Sequence, residues 1–318
     1  MKHLLSPLLF LALHSVTFAQ TVGMAPPRDY TNPVGDTLTV LSWNVEHFVD
    51  PYDDPYIRNR REDAPYDKVY ARPQLLTRAL LKADADVVVL QEFESGAYAA
   101  KLADSLFPEL GYRFFAAAES PDWYMNVVVM SRVPLGVIYS YKAVTTPVLD
   151  SAATAPRETQ NVINTRMMAV DVLVNPDYRF TLTGLHLKAG RKSRDVGMRV
   201  GQIEFLKGQW ARFADEDRRA NLLVAGDLNA LPNSPEFDAL LAKYGRRQQL
   251  VDPLAGQAVY SHPSDDPQRR LDHLLPNRNM ARELVSGSVG PQLLLSTEEM
   301  RELSDHLPMQ AKFLTKNQ

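Results

Sequence analysis

Short apolar runs that end in polar residues recur along the whole chain. The clearest is N-L-L-V-A-G-D-L-N-A-L-P-N-S at residues 221–234. An apolar run bounded by turn formers predicts a buried strand, and Gly226 allows the backbone to bend where this strand stops. Asp227 and Asn229 then share one side of the extended chain, because side chains alternate with period two. Such a pair can hold water, a metal or phosphate, or it can simply form the turn that ends the strand.

The same reasoning predicts further elements. Strands are predicted at residues 37–43, 86–90, 112–117, 125–130, 165–174, 179–187, 270–275 and 307–314, with 136–139 as the hairpin partner of 125–130. Helices are predicted at 74–82, 97–107 and 235–244, and another follows the basic stretch 188–199. Segments 50–73 and 143–164 show no period and are predicted to be loops, the first long enough to form a rim or lid.

The first residues predict export. They combine one Lys with a short apolar run and Thr17-Phe18-Ala19, which is typical of a secretory signal peptide over residues 1–19. The run is shorter than the roughly 20 residues that span a bilayer. Residues 20–36 hold three Pro and two Gly and predict an extended leader. We therefore expect one catalytic domain over 37–318 in a secreted or periplasmic protein without a stable membrane anchor.

Composition narrows the chemistry. The chain has no Cys, which excludes disulfides, thiolate zinc sites and cysteine nucleophiles. Its formal charge of −3 gives no bulk basic character for binding nucleic acid. The local stretch 188–199, which contains Lys188, Arg191, Lys192, Arg194 and Arg199, is compatible with two interpretations. It can follow a nucleic-acid backbone, or it can be the solvated start of a helix.

Polar residues capable of chemistry lie at or beside the ends of most predicted strands. In chain order they are Asn44, Glu92, His186, Asp227, Asn229, Asp272, Asp305 and His306. Ligand sites gather where strands end, on loops that a rigid sheet supports. Four carboxylates, two amides and two imidazoles are more than ordinary turns require. An oxygen-rich set without sulfur favours Mg²⁺, Mn²⁺ or Ca²⁺ over zinc.

These stretches resemble the endonuclease/exonuclease/phosphatase superfamily, which has a deoxyribonuclease-like fold, and the signal peptide would make this chain a secreted bacterial-type member. Six motifs carry the resemblance, in the order of the family. They are S-W-N-V-E at 42–46, L-Q-E at 90–92, G-L-H-L at 184–187, G-D-L-N at 226–229, L-D-H at 271–273 and S-D-H-L-P at 304–308. The resemblance implies an α/β (α+β) four-layer sandwich. Two mixed β-sheets would pack face to face with helices on the outer faces, and the site would lie at one edge.

The resemblance also implies roles for individual residues. Glu92 matches the principal metal ligand, with Asn44 beside it. Asp227 matches the residue that orients or deprotonates the attacking water, and Asn229 the amide that holds this water or the phosphate. His306 matches the imidazole at the scissile phosphate and Asp272 the carboxylate that orients it. The remaining roles go to Asp305 near the metal, to Glu46 as a further ligand, to Arg166 as a phosphate contact and to His186 as the second histidine of deoxyribonucleases and sphingomyelinases.

The expected activity is therefore a Mg²⁺-dependent phosphodiesterase, with Mn²⁺ or Ca²⁺ as other possible ions. A carboxylate beside the His306 imidazole is expected to raise its pKa and fix its tautomer. The substrate is a phosphodiester, with nucleic acid as the first candidate, and no protein partner is predicted. Alternatives are a sphingomyelinase-type or phospholipase-type phosphodiesterase, a sugar or inositol phosphatase, or a non-catalytic binding module, which would predict losses among the site residues. No G-x-S-x-G elbow and no G-x-x-x-x-G-K loop occurs.

Overall fold

The computed structural model describes residues 29–63, 67–120, 123–141, 143–149, 158–161, 166–243 and 250–317. The predicted signal peptide and most of the predicted leader lie outside the described residues, as do Thr165 and Tyr244 at the ends of a predicted strand and a predicted helix. In the described part, no helix is both long enough and apolar enough to cross a membrane.

Among the described residues, helices flank a central run of seven consecutive strands, from Phe114 to His186. The strands are β1 (Thr37–Phe48), β2 (Val87–Phe93), β3 (Phe114–Ala117), β4 (Asn126–Ser131), β5 (Leu135–Ser140), β6 (Thr146–Pro147), β7 (Thr159–Gln160), β8 (Met167–Asn175), β9 (Tyr178–His186), β10 (Leu222–Asp227), β11 (Asp272–Pro276), β12 (Gly290–Pro291) and β13 (Met309–Leu314). The helices are α1 (Arg60–Asp63), α2 (Arg72–Ala83), α3 (Gly96–Leu106), α4 (Ser193–Glu216), α5 (Pro235–Leu241) and α6 (Thr297–Leu303). Short 3₁₀ turns occur at Asp67–Tyr70, Pro108–Leu110 and Met280–Arg282.

Two mixed sheets form the centre of the molecule. One has six strands in the order β12-β13-β1-β2-β4-β3, and the other has five in the order β11-β10-β9-β8-β5. The pairs β1–β2 and β9–β10 are parallel, whereas β10–β11 and β1–β13 are antiparallel. Val89 and Val129 of the first sheet belong to the same buried cluster as Val170 and Leu182 of the second, so the sheets pack face to face.

Helices cover the two outer faces of the sheets. Leu80 of α2, Leu102 of α3 and Leu303 of α6 pack against the outer face of the six-stranded sheet. On the other side, Trp210 of α4 and Phe237 of α5 pack against the five-stranded sheet. The predicted four-layer sandwich is therefore confirmed, and burial of apolar surface on both faces of each sheet accounts for its continuously hydrophobic strands.

Two glycines permit close approaches near the strand ends. A Cβ atom at Gly184 would lie 2.8 Å from Val127 Cγ1 and 2.9 Å from Val89 Cγ1, so the sheets pack tightly over β9 at this point. Gly226 has φ +149°, and a Cβ atom there would lie 1.9 Å from the carbonyl oxygen of Leu185. Only glycine fits this bend, which supports the role that the sequence assigned to Gly226.

Several sequence predictions are wrong in detail. Residues 136–139 do not form a hairpin with 125–130, because β5 pairs with β8 in the other sheet, whereas β4 pairs with β2 and β3. The first strand does not end at Trp43; it continues to Phe48 through a shift in register, where side chains rather than the ladder bind backbone N–H groups.

The predicted loops also contain ordered elements. Segment 50–73 carries α1, the turn Asp67–Tyr70 and the start of α2. One of its residues, Arg61, lines a pocket. Strands β6 and β7 pair inside the predicted loop 143–164. Helix α6 was not predicted, although Ser296 and Glu299 form a capping box at its start, which is a recognisable sequence signal.

Candidate active site

The strand ends of both sheets meet at one edge of the sandwich. Asn44 lies in the last part of β1, and Glu92 lies near the end of its parallel neighbour β2. In the second sheet Asp227 pairs in register with His186 on one side and with Asp272 on the other. The turn before β13 brings in His306, whose main-chain oxygen accepts a hydrogen bond from Trp43 Nε1 at 2.9 Å. The fold thus assembles residues that are up to 262 positions apart.

A polar cavity of about 350 Å³ connects these side chains. The predicted site residues that line it are Asn44, Glu46, Glu92, His186, Asp227, Asn229, Asp305 and His306. Asp272 lies behind His306 and Arg166 lies outside the lining. A larger cavity of about 450 Å³, between the end of α4 and β8–β9, contains none of the predicted residues, so size does not identify the site here.

His306 is held by a buried carboxylate. Its Nδ1 lies 2.7 Å from Asp272 Oδ2, and the same oxygen accepts a hydrogen bond of 2.7 Å from Ser261 Oγ. Nδ1 therefore carries hydrogen, and Nε2 lies 3.9 Å from Asp227 Oδ2 and 3.7 Å from Asp305 Oδ1. Burial opposes the charged form of His306, but Asp272, Asp227 and Asp305 outweigh it and raise the pKa to about 10. The expected pKa increase and tautomer are present in this geometry.

Asp227 is a buried carboxylate surrounded by amide donors. Its Oδ1 accepts the backbone N–H of Asn229 at 2.8 Å, and its Oδ2 accepts the side-chain amides of Asn44 at 3.1 Å and Asn229 at 3.2 Å. Burial nevertheless raises the pKa of Asp227, with a smaller contribution of the same sign from Asp272. A carboxylate with a raised pKa is a better proton acceptor near neutral pH than an ordinary Asp.

Uncharged N–H donors stabilise the ionised form of Glu92. Its Oε1 accepts the Asn44 amide at 3.2 Å and its Oε2 accepts the backbone N–H of His47 at 3.0 Å. Burial acts to raise the pKa of Glu92, but His186, His47 and these two donors together lower it. Burial lowers the pKa of His47 and takes that of His186 to about 3, so neither ring supplies full positive charge. We therefore attribute the ionised state of Glu92 chiefly to the two N–H groups.

The donor set fits a hard divalent cation in type. Glu92, Glu46 and Asp305 offer carboxylate oxygens around the cavity, with Asn44 between them. Burial raises the pKa of Glu46, and the charges of Asp305 and Glu92 raise it further, which a nearby cation would relieve. Clusters with one ligand atom from each residue within 4.8 Å occur at His262–Asp305–His306 and at Asp227–Asp272–His306. Neither includes Glu92, so the four predicted ligands share a cavity without already forming one coordination shell.

The Asn44 amide is oriented by its neighbours. Its nitrogen faces Glu92 and Asp227, and its oxygen accepts the backbone N–H of Glu46 at 3.0 Å. Asn44 therefore organises two carboxylates and the bend at the end of β1. As a metal ligand, it would use the second lone pair of an oxygen that already has one partner.

Arg166 and His186 lie on the flank of the site. The Arg166 guanidinium is 5.7 Å from the centre of the Trp123 ring and donates no hydrogen bond to a described residue. Burial lowers its pKa, and the charges of Glu92 and Asp227 oppose this. His186 Nε2 lies 3.6 Å from Asp227 Oδ2, and its Nδ1 is buried without a hydrogen-bond partner. These positions place Arg166 near the site, but they do not place it in the cavity.

Sequence reasoning missed several residues that line the cavity. Arg269 Nη2 lies 2.8 Å from His262 Nδ1, so His262 accepts at this nitrogen, and its Nε2 lies 3.3 Å from Asp305 Oδ2. The His262 ring also contacts the His306 ring at 4.7 Å between centres. His47 lines the cavity and contacts Tyr124, whereas His273 lies outside the cavity lining, with its Nε2 3.2 Å from the Ala230 oxygen.

The basic stretch 188–199 is mostly neutralised within the protein. Arg199 is buried and pairs with Glu236 at 2.7 Å, and it also donates to the main-chain oxygens of Lys188 and Gly190. Lys188 pairs with Asp195 at 3.4 Å, and Arg194 pairs with Glu158. Three of the five basic residues are thus paired, which favours the interpretation as a helix start over a continuous phosphate track.

The fold and the site define a four-layer α/β sandwich with a histidine–aspartate pair and buried carboxylates at one sheet edge. The chain belongs to the endonuclease/exonuclease/phosphatase family, whose sequence model matches residues 41–306. This family carries the phosphoester-hydrolysing activities that its name records.

Solved structures share the fold. The catalytic domain of human Nocturnin with bound sulfate anion is 17% identical with a TM-score of 0.57, over 88% of this chain and 95% of that chain. TDP2 of D. rerio, complexed with a single-strand DNA product, is 18% identical with a TM-score of 0.55, over 88% and 100%. Beta toxin of Staphylococcus aureus is 16% identical with a TM-score of 0.54, over 86% and 99%. No curated protein matches the sequence significantly.

Proposed function

We propose that this protein is an exported, metal-dependent phosphodiesterase, and that its substrates are nucleic acids. One observation carries the proposal. His306, whose pKa is strongly raised, and Asp227, a buried carboxylate, face the same cavity as the ionised Glu92. This combination of a cation, a proton acceptor and a metal-type ligand suits attack by water on a phosphate that carries negative charge. The DNA product bound to the D. rerio neighbour supports nucleic acid as the first substrate to test.

We propose different tasks for His306 and Asp227. Their facing atoms are 3.9 Å apart, so both lie on the same side of the cavity. A base and an acid that act in line must lie on opposite sides of the phosphorus atom. We therefore assign Asp227 to accept the proton of the attacking water, while protonated His306 stabilises the charge on a non-bridging phosphoryl oxygen.

The other residues support these two. Asn229 and Asn44 hold the Asp227 carboxylate through amide hydrogen bonds, and Asp272 holds His306 in its charged form. A divalent cation held by Glu92 with Asn44, Glu46 and Asp305 would supply Lewis-acid polarisation of the phosphoryl group. Mg²⁺ is the ion we propose first, since the donors are hard oxygens.

A hydrolysis panel on the purified protein tests the proposal. It compares plasmid DNA, single-stranded DNA, RNA, sphingomyelin and a phosphomonoester, each with Mg²⁺, Mn²⁺ or Ca²⁺ and again with EDTA. Cleavage of DNA or RNA that EDTA abolishes is the expected result. Cleavage of lipid or of the monoester alone would refute the nuclease assignment while keeping the phosphoester chemistry.

Two variants separate the enzyme from a binding module. His306→Ala and Asp227→Asn should each lower turnover by roughly 10²–10⁴-fold with an unchanged circular dichroism spectrum. Asp104→Asn is the matched control, because Asp104 is an exposed carboxylate on α3 that lies outside the cavity. Near-normal activity of both site variants would exclude the assigned roles.

A further inference from the structure

A second group of carboxylates lies outside the active-site cavity, in the segment that follows β1. One oxygen from each of Asp53, Glu62 and Asp63 lies within 4.8 Å of one oxygen of the other two. Ca²⁺ binds its ligands at 2.3–2.6 Å, so two oxygens on one ion are at most about 5 Å apart. The three carboxylates are therefore close enough to share one ion, and none of them lines the cavity described above.

Glu62 is the unusual member of this group. Its side chain is fully buried, with 0% of its surface exposed. Oε1 accepts the backbone N–H of Asp54 at 2.6 Å, but Oε2 is buried without any hydrogen-bond partner. A buried carboxylate oxygen without a protein partner is costly, which favours a ligand at this position. Asp53 and Asp63 are exposed, which leaves the group open to an ion from solvent.

The surroundings of Glu62 are acidic. Burial raises the pKa of its carboxyl group, and Asp53, Asp54 and Asp63 raise it further against the one N–H donor. In the described part of the chain, no basic side chain forms an ion pair with Asp53, Glu62 or Asp63. Among the described residues, this concentration of negative charge thus has no ion-pair partner.

We propose that Asp53, Glu62 and Asp63 form a second divalent-cation site, of the Ca²⁺ class, that holds helix α1 in place. Ca²⁺ accepts six to eight oxygens in flexible geometry, so water and main-chain oxygens can complete a shell begun by three carboxylates. Mg²⁺ requires a near-octahedral shell at 2.0–2.1 Å and fits such a loop less well. The site goes beyond the proposed activity. Its consequence for the enzyme is mechanical, since Arg61 of α1 lines the active-site cavity.

Limited trypsin digestion tests the proposal locally, because Arg58, Arg60 and Arg61 are exposed within the same segment. Metal-free protein is digested with and without Ca²⁺, and cleavage at these residues is followed by mass spectrometry. An ion that binds only the ordered segment slows cleavage by a factor of 1 plus the ratio of its concentration to its dissociation constant, about 100-fold at 100 times that constant. Cleavage after Arg218, which is exposed beyond α4, is the internal control and should not change.

Three variants locate the ion. Glu62→Gln keeps the size of the side chain and an oxygen that can accept the Asp54 N–H, and it removes the negative charge. Without Ca²⁺ this variant should therefore be cleaved no faster than the wild type, and with Ca²⁺ it should gain no protection. Glu92→Gln, which alters the catalytic cavity, should keep full protection, as should the surface control Asp104→Asn. If Glu62→Gln does not fold, the exposed Asp53→Asn is used in its place and should also lose protection.

The proposal is overturned if Ca²⁺ leaves wild-type cleavage unchanged or if Glu62→Gln is protected as well as the wild type. It is also overturned if protection is lost in Glu92→Gln, because the ion would then be in the catalytic cavity. None of these measurements requires hydrolytic activity, so failure here is distinct from failure of the proposed function.

Discussion

Replacing Asp272 by Asn is the most direct test of how the site charges His306. The substitution keeps the shape of the side chain and removes the largest contribution that raises the His306 pKa. The His306 pKa of about 10 lies above the ordinary value of 6.5 by an amount that corresponds to roughly 5 kcal/mol, at about 1.4 kcal/mol per pH unit. This free energy comes from all the groups around His306, so it is an upper limit for the contribution of Asp272. We expect the pKa of His306 to fall by several units and kcat by roughly 10²–10⁴-fold.

The orientation of the new amide adds a second cost. Asp272 Oδ2 has two partners, His306 and Ser261, whereas its Oδ1 is buried without one. An Asn that keeps its oxygen toward His306 must bury its NH₂ group unpaired, at a cost of about 1–3 kcal/mol. The alternative orientation forces the His306 tautomer to change. Either result removes the arrangement that the wild-type pair provides.

Histidine NMR titration of the metal-free protein measures this effect. In the wild type the folded pKa is raised, so the stabilisation is complete below pH 6.5 and is lost as the pH rises through about 10. The difference in unfolding free energy between wild type and Asp272→Asn should therefore narrow over that range. A His306 signal that still titrates near pH 10 in the variant would refute the reasoning, as would a stability difference independent of pH. Asp104→Asn controls for loss of a surface carboxylate.

Three further predictions concern stability and are measured by urea unfolding. Burial, and then the charge of Arg270, lower the pKa of His273 to about 4. The free energy of unfolding should therefore fall by about 1.4 kcal/mol per pH unit as the pH drops from 6.5 to 4. His273→Gln should flatten this slope, and an unchanged slope in the variant would contradict the prediction. Gly184→Ala should cost about 1–3 kcal/mol by overpacking the two sheets, and a neutral effect would show that they can separate. Arg199→Ala should cost about 3–5 kcal/mol because it leaves Glu236 buried and unpaired, whereas the double variant with Glu236→Ala should recover part of this loss.

The sequence was most informative where apolar strands end in polar residues. Asp227 and His186 were predicted at the ends of separate strands, and the parallel register of β9 and β10 places them side by side. This worked because buried strands have a strong pattern and because parallel strands deliver their carboxyl ends to one edge. Strand pairing was less predictable. Residues 136–139 follow 125–130 closely, yet β5 crosses to the other sheet, and nothing local in the sequence marks that change of partner.

Residues on irregular segments were the ones that the sequence could not place. His262 and Arg269 lie between α5 and β11 in a stretch without apolar period, so no pattern assigned them to the cavity. Their position depends on the contacts that they make with each other, an isolated antiparallel bridge and a side-chain hydrogen bond. Arg199 shows the reverse error. Its charge suggested a surface contact, but its partner Glu236 comes from a different helix and buries it.

The same side chains that build the active site also stabilise the bent strand ends, so truncating them alters activity and stability together. Glu46, His47, Glu92 and Asn229 have φ between +43° and +58°, a conformation that costs a non-glycine residue of order 1–3 kcal/mol. The Asn44 oxygen binds the backbone N–H of Glu46, the Glu92 carboxylate binds that of His47, and the Asp227 carboxylate binds that of Asn229. Truncating Asn44, Glu92 or Asp227 to Ala therefore releases a strained segment as well as removing a functional group. Isosteric changes such as Asp227→Asn keep one oxygen to accept the backbone hydrogen bond and so come nearer to isolating the chemistry, at the cost of placing the new NH₂ group against the amide donors of Asn44 and Asn229.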